Sequence, residues 1–269
     1  MKRRPVYFLL AMGVAGVGTA TAGEPVSAVP ELKTSAPPAS NPALPGVEAV
    51  LERWIAARGG QAALQAATNC VAMGRAEAAH LGAPVRCEFY ARAPRQRLLL
   101  FHLPGQGAVV EGFDGETGWQ EDPAFGRTEW TGEELAKRRR DATFHRELQF
   151  RALYPDLQVK GSEPAGGEPA WLLEAHATPS AEERFWFSHR TGLLVRQEST
   201  LHLALGVVER SIEYADYRLV GALRFPYRWQ LRQRAASQAE PEVTVSIRFD
   251  DVRFNVPLEE ARLRRHGAE

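Results

Sequence analysis

The sequence predicts an α+β fold built on one large antiparallel β-sheet, and two observations lead to this prediction. Polar and apolar residues alternate with period two along many segments, most clearly on both sides of the Gly-bearing turn at 189–192. Such alternation around a short turn predicts a β-hairpin whose two faces differ. Helical periodicity is confined to residues 47–67 and 131–153. Helices that are segregated from a run of strands are typical of the α+β class.

The first 22 residues predict a secretory signal peptide. Residues 2–4 are basic, residues 6–17 are apolar, and residues 20–22, Ala-Thr-Ala, form a small-residue cleavage site. The apolar run is shorter than the about 20 residues that span a bilayer, which disfavours a membrane anchor. We therefore expect an exported protein that is soluble in the periplasm after cleavage behind Ala22.

The rest of the chain predicts a tether followed by one domain. Residues 23–45 are rich in Pro, Ala and Ser and lack periodicity, which indicates a flexible tether. Residues 46–265 suit a single β-rich domain, since such domains run to about 250 residues. Without the three basic residues of the signal, a chain with 33 basic and 33 acidic residues carries a net charge of about −3. This charge, and the lack of a basic stripe with interleaved aromatics, argue against nucleic-acid binding. We expect a monomer.

The elements follow in order from local patterns. Residues 47–58 place apolar side chains on one helical face, Gly59-Gly60 ends this helix, and residues 61–67 predict a second short one. Asp114-Gly115 is a strong turn signal between two strands. The alternating segments predict about 11–12 strands in total, at about 69–79, 85–93, 96–103, 107–113, 117–121, 157–161, 169–177, 183–188, 193–203, 206–218, 223–234 and 242–254.

Residues 131–153 predict one central helix. Thr131 and Glu134 have the spacing of a capping box, and Tyr154-Pro155 ends the helix. Phe144 and Leu148 lie on its apolar side. The basic run at 137–140 has two interpretations: a solvated helix surface, which charge runs favour, or a contact with anionic headgroups or an acidic partner.

No catalytic, metal or cofactor motif is predicted. The seven histidines are scattered, without a H-E-x-x-H pattern, and the chain lacks a nucleophile elbow and a phosphate loop. Asp250 and Asp251 are adjacent on a strand and should point to opposite faces, so they do not form an acid pair. Cys70 and Cys87 fit no metal motif. In the simplest hairpin register they do not face each other, although a bulge or another register would still allow a disulfide.

Five stretches resemble a known group of proteins. They are TGLLVRQES (191–199), YADYRLVGALRFPYRWQL (214–231), VSIRFDDVRFNVPLEEARL (245–263), GFDGETGWQEDP (112–123) and TGEELAKRRRDATFHRELQFRALYP (131–155). They resemble the LolA/LolB-like outer-membrane lipoprotein-sorting family, including uncharacterised exported members, over residues 47–263. The resemblance implies a half-open antiparallel β-barrel whose concave face is covered by helices. It also implies a carrier for an acyl chain or a lipoprotein.

Alternation selects the side chains that would face the barrel interior. Phe185 and Phe187 share one face of their strand, while Arg184 and Trp186 share the other. Burying the uniformly apolar faces avoids burying arginines without partners. Met73, Phe89 and Leu100 are also assigned inward, although both faces of their strands carry apolar residues. The predicted ligand-cavity residues are Met73, Phe89, Leu100, Phe144, Leu148, Phe185, Phe187, Tyr227, Trp229 and Ile247. The same residues would equally form a solid core.

The sequence thus favours a non-catalytic periplasmic carrier that binds a lipid, an acyl chain or a lipoprotein in an apolar cavity. The alternative is an RseB-like regulatory or sensory domain that binds an envelope protein. Lipid analysis of the purified protein would separate these two hypotheses.

Overall fold

The computed structural model describes residues 44–178, 181–203, 206–235 and 242–263. The predicted signal peptide and the predicted tether up to residue 43 lie outside the described residues. The domain boundaries at 22 and 45 therefore stay predictions.

A single antiparallel sheet of 13 strands forms the described chain. Its order is β6-β5-β4-β3-β2-β1-β13-β12-β11-β10-β9-β8-β7, so two meanders join where β1 pairs with β13. The strands are β1 Asn69–Glu77, β2 Val85–Arg92, β3 Gln96–Leu103, β4 Gly107–Phe113, β5 Gly118–Asp122, β6 Gly126–Glu129, β7 Gln158–Ala165, β8 Glu168–Thr178, β9 Ala181–Ser188, β10 Leu194–Leu203, β11 Gly206–Val220, β12 Leu223–Ala235 and β13 Val243–Phe254. The predicted α+β class is confirmed. The strand missing from the prediction is β6, whose four residues are largely exposed and show no alternation.

Five α-helices accompany the sheet in the described residues: α1 Val47–Arg58, α2 Gln61–Ala66, α3 Gly132–Asp141, α4 Arg146–Leu153 and α5 Glu260–Leu263. Helix α1 buries Val50, Leu51 and Trp54, as its periodicity predicts. It ends at Gly59, whose φ of 133° favours glycine. Within the described ranges, no helix combines the length and the apolar content that crossing a membrane requires.

The predicted central helix is two helices. Residues 142–145 leave the helical path, and the backbone N–H of Phe144 donates to the carbonyl of Pro94 at 3.0 Å. The capping-box prediction was wrong about the side-chain hydrogen bonds. Thr131 is the N-cap of α3 but its side chain makes no cap bond, while Glu134 is buried and accepts from Arg138.

Contacts of α3 show that the sheet is strongly curved. Arg138 binds Glu111 on β4 at 2.8 Å, and Arg140 binds Glu183 on β9 at 2.7 Å. These strands stand eight places apart in the sheet order. In a flat sheet they would lie almost 40 Å apart, since neighbouring strands are separated by about 4.8 Å. The sheet therefore curls around α3 as a half-open barrel, which confirms the predicted architecture.

The curved sheet has two distinct faces. We call the face covered by α1 to α4 the concave face and the opposite one the convex face. Along β1 to β5 the convex face carries its own apolar cluster: Val71, Tyr90, Leu98, Trp119 and, from α5, Leu263. Trp119 lies against Gly112 of β4, where a Cβ atom would be 2.3 Å from the indole ring. A side chain at residue 112 would therefore displace Trp119.

Candidate functional site

Eight of the ten predicted cavity residues lie on the concave side. Four of them belong to one buried cluster on β2, β12 and β13: Phe89, Tyr227, Trp229 and Ile247. Phe185 and Phe187 belong to a second cluster under α1 and α4. Phe144 and Leu148, partly buried, pack against a third group formed around α2 and Leu223. The strand faces chosen by alternation on β9, β12 and β13 agree with the structure.

Met73 and Leu100 lie on the convex face, contrary to the inward assignment. Both stand opposite Glu88 of β2 in the register, whereas Phe89 stands opposite Ala72 and Leu99. Their apolar contacts are with the cluster around Trp119. Alternation could not choose between the faces here, because α5 gives the convex face of these strands an apolar cover of its own.

A small apolar cavity separates the α3–α4 connection from the concave face. Its volume is about 120 Å³. Its apolar lining consists of Leu64, Ala67, Cys70, Phe89, Ala91, Ala142, Phe144, Leu223, Phe225 and Phe254, and its rim carries Arg58, Arg97, Asp141, Thr143, His145 and Glu147. Ligand pockets usually measure about 300–1,000 Å³. In the conformation described, the cavity would admit only a fragment of an acyl chain.

The second aromatic cluster is solid. Phe150 packs edge-on against Phe185 with ring centroids 4.8 Å apart, and Trp54 packs against Phe187 at 5.2 Å. Phe150, Phe185 and Phe187 are fully buried. Phe185 and Phe187 therefore contribute to the core under α1 and do not line the 120 Å³ cavity.

Few polar contacts close the cavity at the α3–α4 connection. Besides the Phe144 backbone bond, the Nε2 atom of His145 lies 2.9 Å from the carbonyl oxygen of Ala67. Glu147 at the start of α4 pairs with Arg58 of α1 at 2.8 Å. We call residues 132–153 the lid segment, because they cover the concave face through α3, α4 and this connection.

Helix α3 holds the lid segment through a buried ionic network. Lys137 lies 2.5 Å from Asp141 and 3.3 Å from Glu183, and both Lys137 and Glu183 are almost fully buried. Arg140 and the hydroxyl of Tyr154 also donate to Glu183. The interpretation of residues 137–140 as solvated surface was therefore wrong for Lys137, Arg138 and Arg140, whose charges face the sheet. Arg139 is the exposed member of the run.

The network favours the ionised carboxylates. Burial alone would raise the pKa of Asp141, but the charges of Lys137, Arg146 and Arg97 outweigh it and lower the pKa. The pKa of Glu111 is lowered in the same way, against burial, mainly by Arg138. Acid should therefore weaken the attachment of α3.

Arg146, which is half-buried, and Arg210, which is buried, keep unused donors on the concave side. Arg146 donates from Nη1 to Gln197 and lies over the rings of Phe150 and Phe185, yet its Nε and Nη2 make no hydrogen bond to a described residue. Arg210 donates only from Nε, to Gln233. Burial and the charge of Arg138 lower the pKa of Arg210 to about 10. Both residues thus bury donors that make no hydrogen bond to a described residue, although Glu134 lies 3.9 Å from Nη2 of Arg210 and compensates its charge.

The sequence carries signals for this network. Glu183 shares strand parity with Phe185 and Phe187, so alternation already placed it on the buried face. In α3, residues 134, 137, 138 and 141 are spaced as one helical face and are all charged. Acidic and basic residues on one stripe, opposite a strand with an inward acid, would have predicted buried ion pairs.

Both cysteines are free, and both point to the concave side. Cys70 stands opposite Ala91 and Cys87 opposite Gly74, so the two thiols are not cross-strand neighbours. Burial raises the pKa of Cys70 to about 12, and also raises that of Cys87. Cys70 lines the cavity, whereas Cys87 does not.

The described residues show no arrangement typical of catalysis. No three His, Cys, Asp or Glu side chains in the described ranges are grouped so as to hold a metal ion. Ser162 and His189 lie 3.2 Å apart on the surface, and the ring of His189 stacks on Trp171. Among the described residues no carboxylate completes a triad with this pair. His189 therefore packs against Trp171, and no third described residue helps it to activate the Ser162 hydroxyl as a nucleophile.

Solved structures with a similar architecture identify the fold. Neither a protein-family profile nor a curated protein matches the sequence. A putative outer membrane lipoprotein-sorting protein domain from Vibrio parahaemolyticus superposes with a TM-score of 0.53 at 13% identity, over 81% of this chain and 95% of that one. A LolA superfamily protein from Nitrosomonas europaea gives 0.50 at 12% identity, over 82% and 99%. A DUF1329 family protein from Desulfovibrio piger gives 0.50 at 14% identity, over 81% and 97%. The chain has a LolA-like fold.

Proposed function

We propose that this protein is a non-catalytic carrier that binds an acyl chain or a lipid on the concave face of its half-barrel, beneath the lid segment. The observation that carries the proposal is the apolar cavity between Phe144 and the sheet. Apolar ligands gain about 0.8 kcal/mol for each buried methylene group. The likeness of the fold to a putative lipoprotein-sorting domain supports this reading. We further propose that the chain is exported to the periplasm, where such a carrier would be needed.

The cavity volume implies that the lid segment moves when ligand binds. A space of about 120 Å³ is smaller than an engineered 150 Å³ cavity that holds a benzene molecule. A longer chain therefore requires Phe144 and the connection around it to move away from the sheet. The contacts that would break first are the short ones of the connection: Phe144 to Pro94, His145 to Ala67 and Glu147 to Arg58.

Cys70 provides a test inside the cavity and Cys87 provides its control. In a Cys87→Ser variant, a thiol reagent should modify Cys70 slowly, because burial disfavours its thiolate. A fatty acid that occupies the cavity should protect Cys70 further. It should leave Cys87 unaffected in the matched Cys70→Ser variant. Fatty-acid binding with no effect on Cys70 would place the ligand elsewhere, and a protein that binds no fatty acid or lipid would contradict the proposal.

Cavity filling gives a second, independent test. Ala91 lines the cavity, so Ala91→Met should occupy much of its volume and reduce uptake of a fluorescent fatty acid. Ala63 of α2 is also half-buried but does not line the cavity, so Ala63→Met is the matched control. Native mass spectrometry of protein purified from cell envelopes should show a bound lipid in the wild type and less in Ala91→Met. Equal occupancy in all three proteins would argue against this cavity.

A further inference from the structure

Four arginines form a straight row across the convex face. Arg86 on β2 stands opposite Arg75 on β1, Arg75 opposite Arg248 on β13, and Arg248 opposite Arg228 on β12. All four are exposed. Neighbouring strands lie about 4.8 Å apart, so the row spans about 14 Å. We call it the arginine ladder.

This arrangement opposes the stability of the sheet. Like charges directly opposite each other on neighbouring strands are destabilising. Arg86 is compensated by Glu88, at 2.9 Å. Among the described residues, Arg75, Arg228 and Arg248 have no ion pair and donate no side-chain hydrogen bond. The nearby carboxylate of Asp216 is held by Arg218, at 2.7 Å.

The neighbouring part of the same face is built differently. On β9 to β12, four exposed or half-buried arginines have acidic partners: Arg184 with Glu182, Arg196 with Glu198, Arg232 with Glu213 and Arg234 with Glu209. Exposed Arg224 of β12 instead donates to the carbonyl of Ala57 at 2.9 Å. Most arginines in this part of the face are therefore paired with a neighbouring carboxylate. On three adjoining strands, Arg75, Arg228 and Arg248 have no such ion pair with a described residue, although the charges of Arg228 and Arg248 act on Asp216. The lack of a directly paired carboxylate along the row points to a ligand that supplies one for each arginine.

The ladder is narrow, which limits the kinds of ligand that can bind to it. Exposed Glu77 lies one row away on one side, and exposed Asp250 and Asp251 lie on the other. The expectation that these two aspartates point to opposite faces was wrong, because the register between β1 and β13 shifts at this point. A flat anionic membrane would bring negative headgroups against these carboxylates as well as against the arginines, and would be repelled by them. Single-stranded nucleic acid would need stacking aromatics, and the large apolar side chains exposed in the described residues are Leu44, Phe125 and Leu219, all outside the ladder. The geometry calls for a linear ligand with its charges along one line.

We propose that the arginine ladder is a docking site for an acidic α-helix of a protein partner, lying across the strands. Carboxylates at positions i, i+4, i+7 and i+11 of a helix span about 16 Å, close to the 14 Å of the ladder. Four same-side residues of an extended strand would span about 20 Å. Arginine side chains can bind a carboxylate through two parallel hydrogen bonds, which suits this one-to-one pairing. The proposal is independent of the lipid cavity, which lies on the opposite face.

Two synthetic helical peptides test the proposal on the full-length protein. One carries glutamates at i, i+4, i+7 and i+11, and its isomer of equal composition distributes them around the helix. At low ionic strength the first peptide should bind at least about tenfold more tightly, measured by fluorescence anisotropy. Arg75→Glu/Arg248→Glu should lose this preference. Arg75→Lys/Arg248→Lys, which keeps the charges but not the two parallel hydrogen bonds, should lose less affinity than the glutamate variant.

The matched control reverses two exposed arginines of the lid segment, Arg139 and Arg151, to glutamate. It makes the same change in net charge and should leave peptide binding unchanged. Equal affinity for both peptides, no binding of either, or an equal loss in the control would overturn the proposal. Vesicles of phosphatidylglycerol form the last arm. If vesicles bind in a way that depends on the ladder and neither peptide binds, the ligand of the ladder is a membrane surface and not a helix.

Discussion

Arg140 of α3 donates from Nε and Nη2 to one carboxylate oxygen of Glu183 on β9, at 3.0 and 2.7 Å, while Tyr154 donates to the other oxygen at 2.8 Å. The lid segment is thus attached to the distant half of the sheet by a carboxylate that is only 1% exposed. Buried ion pairs of this kind are sensitive to the loss of one member, because the other charge is left without compensation.

We expect Glu183→Gln to destabilise the protein by about 3–5 kcal/mol, because Arg140 would lose its buried counter-ion and Lys137 would keep only Asp141. Urea denaturation followed by tryptophan fluorescence measures this change. Glu209→Gln, which removes an exposed ion pair with Arg234, is the control and should cost less than about 1 kcal/mol. Similar losses in both variants would show that burial of the network contributes little.

Stability should decrease in acid. The pKa values of Asp141 and Glu111 are lower in the folded protein than their ordinary values near 4, because Lys137 and Arg138 outweigh the effect of burial. Such groups stabilise the fold above about pH 4, and this contribution is lost as the pH falls towards the folded pKa. The free energy of unfolding, measured from pH 7 to pH 3, should therefore drop below about pH 4. The drop should be smaller in Asp141→Asn, and an unchanged profile in that variant would contradict the assignment.

Substitutions at Phe187 and Phe144 distinguish the solid core from the cavity. Phe187→Ala should cost about 3–5 kcal/mol, because it opens a hole in a fully buried cluster. Phe144 is only half-buried and lines the cavity. Phe144→Ala should therefore cost less and should change fatty-acid uptake at protein concentrations where both variants are folded. Uptake altered by Phe187→Ala and not by Phe144→Ala would place the ligand under α1.

The arginine ladder should limit stability. We expect Arg248→Glu to raise the free energy of unfolding by about 0.2–1 kcal/mol, since it replaces two cross-strand repulsions by two attractions. Arg232→Glu on the same face is the control and should lower stability, because Arg232 pairs with Glu213 at 2.9 Å. Destabilisation by both variants would mean that the ladder arginines have a structural role.

Export predicts a defined mature N-terminus. N-terminal sequencing of protein recovered from the periplasm should begin at Gly23, directly after the small-residue site at 20–22. A full-length chain that retains Met1 and stays in the cytoplasm would disprove this prediction.

Much of the fold could be predicted from local patterns. Residues 47–58 form α1 as predicted, and Asp114 caps its turn by accepting from the backbone of Glu116 and Thr117. The break in the central helix could not be predicted. Phe144 leaves the helix, its backbone binds the carbonyl of Pro94, and it lines the cavity. Pro94 and the strands around the cavity lie far away in sequence. Local propensity carries no information about such a contact.

The sequence by itself determined which residues share a face of β9, β12 and β13, because side chains alternate along a strand whatever lies above or below it. Only the tertiary structure decided what each face meets. It placed Met73 against Trp119, buried Lys137 beside Glu183, and aligned Arg75 with Arg248. These contacts depend on the curl of the sheet and on the register between strands that are distant in sequence. Neither property can be inferred from the periodicity of a single segment.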